Sequence, residues 1–214
     1  MGKGSEKPLR KSVRKNQKVS FDDELLILVN EQDEEIGYQD KKTCHQGRGI
    51  LHRAFSIFIF NDQGQLLMQQ RSKQKFLWPL YWSNSCCSHP RKGEPLEVAT
   101  VRRLAEELGL VCELKYLFKF RYQASFENRG SEHELCYVYI GKSNAVVKTN
   151  ANEIVAWKFM DTDVLEREIQ LQPENFTPWF KMEWQRFSDL DLLPQLLDHW
   201  ASPGSKRFKR DFPA

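Results

Sequence analysis

Residues 88–110 read SHPRKGEPLEVATVRRLAEELGL, and this stretch decides the fold. From Pro95 onward, Leu96, Ala99, Val101, Leu104, Ala105 and Leu108 recur at helical spacing, which predicts a helix over Pro95–Leu108. Gly109 stands where a C′ glycine closes a helix in the left-handed conformation. Working outward, Glu24–Val29 (ELLILV) reads as a buried strand ended by the polar turn Asn30–Glu34. Ala54–Phe60 (AFSIFIF) is dense in aromatic and β-branched residues and reads as a second strand. The turn Asn61-Asp62-Gln63-Gly64 then leads into a third, Gln65–Arg71, so these two are expected to form a hairpin. Leu135–Gly141 and Ile154–Met160 are further strands, Asp161–Ile169 is a helix, and Phe180–Trp200 carries one or two helical segments. There is no internal repeat. Strands interleaved with helices give an α+β or α/β sandwich.

The 214 residues suit one compact domain, and 40% hydrophobic with 29% charged residues suits a soluble chain with a real core. No run approaches the roughly 18 apolar residues of a membrane span, and the N-terminus carries no apolar signal segment. The five cysteines are odd in number, and the adjacent Cys86 and Cys87 are poorly placed to pair. Free thiols of this kind point to a reducing cytoplasm. Net charge is only +3, but Met1–Ser20 holds seven Lys or Arg against the single acidic Glu6. Without aromatic interleaving or amphipathic period, that segment reads as a solvated basic tail, not an arm for nucleic acid or membrane. A second basic tail occupies residues 201–214, leaving one domain over 21–200.

Three of the five histidines keep suggestive company. His45 and His52 flank a short glycine-containing loop, and His89 follows the polar run Asn84-Ser85-Cys86-Cys87-Ser88. Glu132-His133-Glu134 precedes a strand; if the alternation starts there, both carboxylates share one face and His133 takes the other. Two such carboxylates repel unless a cation or a shared proton lies between them. Imidazoles with carboxylates and no thiolate suit a divalent first-row ion such as Zn²⁺ or Mn²⁺. His133 and His199 read as structural or solvent-facing, and Cys86 as packing. A thiol beside histidine, as at Cys87, is a candidate acid, base or nucleophile, since its proton affinity can move from a reference near ~8.5.

Residues 88–110 also resemble the Nudix box, G-x5-E-x7-R-E-U-x-E-E-x-G-U, at Glu94, Arg102, Leu104, Glu106, Glu107, Gly109 and Leu110. Ser88 replaces the first glycine, and Arg103 replaces a glutamate. The box is a loop–helix–loop that presents carboxylates to Mg²⁺ on a diphosphate. Arg103 removes one ligand and adds a guanidinium that can clamp phosphate, which disfavours diphosphate hydrolysis. Arg102 is expected in structural salt bridges.

Over Leu25–Trp179 the chain further resembles the type I isopentenyl-diphosphate isomerases, a metal-dependent branch of the Nudix superfamily. The matching residues include Lys41-x3-His45-x6-His52-Arg53, Gln70-Arg71-Ser72-x2-Lys75, Trp78-Pro79-x2-Trp82-x-Asn84-Ser85-x-Cys87-x-His89, Arg121-Tyr122, Glu132-x-Glu134-x-Cys136 and Thr177-Pro178-Trp179. The resemblance implies a Nudix α/β/α sandwich with a mixed sheet and extra terminal helices. It further implies that His45, His52, His89, Glu132 and Glu134 hold one Mn²⁺ or Zn²⁺. Cys87 and Glu134 would be the catalytic pair, with Tyr122 bonded near Glu134 and Trp179 facing a developing cation. Glu107 and the Cys87 backbone carbonyl would anchor Mg²⁺ on the diphosphate, with Lys41, Arg71, Lys75 and Arg103 as phosphate-holding cations. The expected partner is a small diphosphate, bound by a monomer or weak dimer. Two rivals are a nucleoside-diphosphate hydrolase and a non-enzymatic domain with a structural zinc.

Overall fold

The computed structural model describes residues 17–190 and Leu192. Most of the N-terminal tail, the C-terminal tail and the helix expected beyond residue 190 lie outside the described residues, Leu192 apart. The first half of the chain forms strands β1 (Leu25–Val29), β2 (Glu35–Asp40), β3 (His52–Phe60) and β4 (Leu66–Arg71), with the short helix α1 (Lys41–Cys44) before β3. Two brief strands follow, β5 (Trp82–Ser83) and β6 (Cys86–Ser88), and then helix α2 (Leu96–Leu108). Strands β7 (Leu114–Phe126), β8 (Gly130–Lys142) and β9 (Ile154–Met160) precede helices α3 (Thr162–Leu171) and α4 (Pro178–Asp189).

All nine strands join one mixed sheet with β3 at its centre. Along one edge β3 runs parallel to β8 from His52↔Glu134 to Phe60↔Lys142. Its other edge is shared by three antiparallel partners: β1 at His52, β6 at Phe55–Ile57 and β4 at Phe60. Alternation along β3 divides the core between the two faces. Phe55, Ile57 and Ile59 meet Ala99, Leu104 and Leu108 of α2, whereas Ala54, Phe58 and Phe60 lie with Phe180, Trp184 and Phe187 of α4. The sheet is therefore covered by a helix on each face, the expected α/β/α sandwich.

Helix α2 runs as the apolar spacing predicts, and Gly109 closes it at φ 66°, donating its N–H to Leu104 and Ala105. Two details differ. Val101 is exposed, and the buried face instead includes Arg103 and Glu107. The expected hairpin shrinks to a single pair, Phe60↔Leu66. Past that pair the strands part, because the segment carrying β5 and β6 is inserted between them: β4 pairs with β5 and β3 with β6. The Ser85 hydroxyl bridges the split, accepting from the Ile59 N–H at 2.8 Å and donating to the Leu67 carbonyl at 2.7 Å. A side chain thus satisfies backbone groups that no neighbouring strand reaches.

Phe180 is fully buried, with ring centroids of Phe58 and Trp184 both 6.0 Å away. Phe180→Ala removes the centre of that layer. It is expected to lower stability by about 3–5 kcal/mol, read as a reduced urea midpoint at unchanged slope.

Candidate active site

Strand pairing brings the histidines and glutamates together. In-register parallel pairing sets His52 beside Glu134, and alternation along β8 puts Glu132 on the same side as Glu134. His45 arrives from the end of α1 and His89 from the residue after β6. Ligand atoms of His45, His52, His89, Glu132 and Glu134 all lie within 4.8 Å of one another, and all five residues are buried. His45 Nε2 is 2.8 Å from Glu132, and His89 Nε2 is 2.8 Å from Glu134.

Backbone carbonyls decide which imidazole nitrogen faces inward. His45 Nδ1 bonds to the Lys41 carbonyl at 2.6 Å and His52 Nδ1 to the Ile50 carbonyl at 2.7 Å. Each ring therefore turns an Nε2 lone pair to the centre, the usual second-sphere support of a metal-binding imidazole. His52 Nε2 and Glu132 Oε2 are buried without a hydrogen-bond partner. Burial and the neighbouring His45 hold the His52 imidazole neutral, at about 3. Burial pushes the Glu134 carboxyl well above its usual range, and the Glu132 charge adds to it. Converging lone pairs, two carboxylates that repel and orphaned buried donor atoms fit a divalent cation.

Cys87 sits on β6 opposite Ser56 of β3. Its thiol is 2.8 Å from Asn84 Oδ1, and Asn84 is tied by its own amide to the Ile57 and Cys86 carbonyls. The Trp179 indole N–H points at the sulfur from 3.2 Å. Burial, with the nearby Glu183 charge, raises the thiol to about 12. On the other side Tyr122 donates to Glu134 Oε2 at 2.6 Å, and its ring centroid is 6.4 Å from that of Trp179. Thiol and carboxyl thus line one cavity of about 500 Å³, with an indole and a phenol between them.

Cations share this cavity. Lys41, Arg71, Lys75 and Arg103 all line the cavity. Arg103 donates to Glu107 at 2.5 Å and reaches Glu153 at 3.4 Å; Lys75 also pairs with Glu153. Burial and the charges of Lys75 and Arg103 lower the Lys41 ammonium to about 8. Such a cluster is strained electrostatically and gains from an incoming anion. Arg71 lies over the Trp179 ring at 5.1 Å and donates to the carbonyls of Leu77 and Trp78. Arg102 bonds Glu94 twice, at 2.6 and 2.7 Å, and Glu106 at 3.1 Å, tying the preceding loop to α2.

A NUDIX domain model matches residues 50–180. Isopentenyl-diphosphate Delta-isomerase 1 of Photorhabdus laumondii is 42% identical over 75% of this chain and 93% of its own length. The isopentenyl-diphosphate Delta-isomerase of Burkholderia multivorans is 41% identical over 84% and 98% respectively. The chain belongs to the NUDIX isopentenyl-diphosphate Delta-isomerase family. The crystal structure of DR0079 from Deinococcus radiodurans superposes at TM-score 0.58 with 26% identity, covering 69% of this chain and 90% of that one. A MutT protein from Methanosarcina mazei, at TM-score 0.55 and 17% identity over 66% and 96%, shares the fold.

As a member of this isomerase family with a buried His/Glu cluster, the chain is a divalent-metal protein. The structure also brings in residues that carried no role in the sequence reading. Asn84 orients the thiol, Glu153 pins two cations, and Gly130 sits so close to His45 that a Cβ there would overlap the His45 carbonyl oxygen. That carbonyl accepts from the Ser131 N–H at 3.0 Å, which locks His45 to β8. The tail boundary at residue 20 also moves. Val19 is buried, its carbonyl accepts from Arg103 at 2.8 Å, and Ser20 receives Lys41 Nζ at 2.6 Å. Of these residues only the motif asparagine stood out in the sequence; the others touch partners distant along the chain.

Metal that binds only the folded state stabilises it by about 2.7 kcal/mol at a hundred times Kd. Adding Mn²⁺ or Zn²⁺ to metal-free protein is expected to raise Tm by several degrees, and a chelator to reverse it. In Gly130→Ala, His45 is displaced, and chelator competition should show metal affinity reduced about tenfold or more.

Proposed function

We propose that this chain interconverts isopentenyl and dimethylallyl diphosphate by placing a proton on one alkene carbon and removing one from another. The observation that carries the reading is that Cys87 and Glu134 line the same cavity, together with Lys41, Arg71, Lys75 and Arg103. In the forward direction the terminal CH2 carbon takes a proton, the positive charge falls on the tertiary carbon, and loss of a proton from the carbon on its far side forms the new double bond. One residue of the pair delivers and the other accepts, and the reverse reaction exchanges their roles.

Each neighbouring group has a task in this scheme. Unactivated alkenes are poor bases, and a tertiary cation is captured by water, so the reacting end must be dry. Trp179, 3% exposed, offers an indole face worth ~2 kcal/mol or more to a desolvated cation. Tyr122 donates to Glu134 Oε2, while Oε1 faces the imidazole of His89 at 2.8 Å. Lys41, Arg71, Lys75 and Arg103 hold the diphosphate, whose binding energy fixes the hydrocarbon end. Arg103 would exchange Glu107 for phosphate oxygen, and that carboxylate with the Cys87 carbonyl would hold Mg²⁺. His45, His52, His89, Glu132 and Glu134 would hold Mn²⁺ or Zn²⁺, an ion that stabilises and orients the Glu134 carboxylate. The same reading includes a single domain that takes in Val19 and Ser20, acting as a monomer or weak dimer in the cytoplasm.

Incubation with isopentenyl diphosphate in deuterated water is expected to yield deuterium-labelled dimethylallyl diphosphate with no phosphate released. Phosphate release without isomerisation would instead favour a hydrolase, and no product at all with metal supplied would remove the assignment. Cys87→Ala is expected to reduce turnover by about a thousandfold or more. Trp179→Ala should reduce kcat by about thirtyfold, the equivalent of ~2 kcal/mol at the transition state.

A further inference from the structure

Residues 17–22, which run ahead of β1, have no task in that scheme, yet Lys18, Ser20 and Asp22 line the cavity together with Lys41 and Arg103. Backbone carbonyls moor this segment at both ends. The Gln17 carbonyl accepts from Asn150 Nδ2 at 2.7 Å, and the Asp22 carbonyl from the Lys42 N–H at 3.0 Å. Between them the Val19 carbonyl accepts from Arg103 at 2.8 Å and from Arg91 at 3.3 Å, and the Val19 side chain is buried. The Ser20 hydroxyl then receives Lys41 Nζ at 2.6 Å.

The cavity's cations differ in what holds them. Lys75 faces Glu153 and Arg103 faces Glu107, whereas the hydrogen-bond partner of the Lys41 ammonium among the described residues is the neutral Ser20. The Arg103 guanidinium, tied through Nη1 to Val19 and through Nη2 to Glu107, also keeps an Nε that is buried with no partner among the described residues. A buried N–H of that kind is satisfied when an acceptor such as a phosphate oxygen arrives.

We propose that Ser20 is a positioning residue for Lys41, and that residues 17–22 form a wall of the diphosphate site. The proposal rests on the isomerase reading only for the identity of the anion. A lysine ammonium on its flexible stem contributes most when it is already held in place, because ordering it at the moment of binding lowers affinity. A hydroxyl does this without cancelling the charge, and the remaining N–H groups of the ammonium stay free for phosphate oxygen. A carboxylate at the same position would hold Lys41 as firmly, but it would neutralise the cation and repel the incoming anion. The Val19 carbonyl serves Arg103 in the same neutral way.

Inorganic diphosphate with Mg²⁺, titrated calorimetrically, reads this end of the site without turnover. Ser20→Ala is expected to weaken its binding about fivefold. Ser20→Thr keeps the hydroxyl and should stay within about twofold, whereas Ser20→Asp should bind about twentyfold more weakly. KM for isopentenyl diphosphate should rise in the same order, with kcat of Ser20→Ala within about twofold of the unaltered protein. Residue 20 is half-buried, so Tm should fall by no more than about 2 °C in any of the three. Unchanged affinity in Ser20→Ala, an equal loss in Ser20→Thr, or full affinity in Ser20→Asp would each overturn the proposal. So would losses that follow a fall in Tm, or an unaltered protein that binds no diphosphate. Absence of isomerisation while the affinity series holds sinks only the isomerase reading.

Discussion

Everything at the site depends on β3 having two different neighbours. On one edge parallel pairing with β8 holds His52 next to Glu134; on the other, antiparallel pairing with β6 holds Ser56 opposite Cys87. A backbone ladder is the most rigid scaffold a chain can offer, because each register step is set by several hydrogen bonds and a slip would turn every side chain to the wrong face. His52, Cys87 and Glu134, from three strands, are therefore spaced by the sheet and not by flexible loops. The insertion of β5 and β6 between β3 and β4, with Ser85 bridging the gap, makes room for the thiol at the centre of the sheet.

Around that frame both signs of charge meet in one cavity. Imidazoles and carboxylates converge within 4.8 Å of one another, and among the cations Lys41 is held below its ordinary value by burial and by Lys75 and Arg103. Tyr122, Trp179 and Leu77 give the same cavity an apolar part of its lining. Buried charges are tolerated only when paired, and Glu107 and Glu153 serve Arg103 and Lys75 in that capacity.

Legibility followed how local the determining forces are. The helix before Gly109 could be read because its stripe and its cap sit within fifteen residues, and Glu132 and Glu134 shared a face because strand alternation needs no partner. The hairpin was misjudged because a turn says where two strands meet, not whether another segment separates them afterwards. Val101 faces solvent and Arg103 does not, since the cavity wall claims a face that hydrophobicity alone would assign to apolar residues. Strands β2 and β7 had no counterpart in the pattern. Glu183 looks like one more helix carboxylate until its burial against Cys136 is seen.

The sequence by itself determined the inventory: three histidines, two glutamates one residue apart, a thiol two residues before a histidine, a Nudix-like helix with arginine in place of glutamate, and an indole after proline. Side-chain chemistry and short-range periodicity are written in the order of residues. Only the tertiary structure decided that these groups meet, that Gly130 and two backbone carbonyls aim His45 and His52, and that Ser56 lies opposite Cys87. Those outcomes rest on strand register and on contacts between residues up to about a hundred positions apart, for which a linear pattern carries no signal.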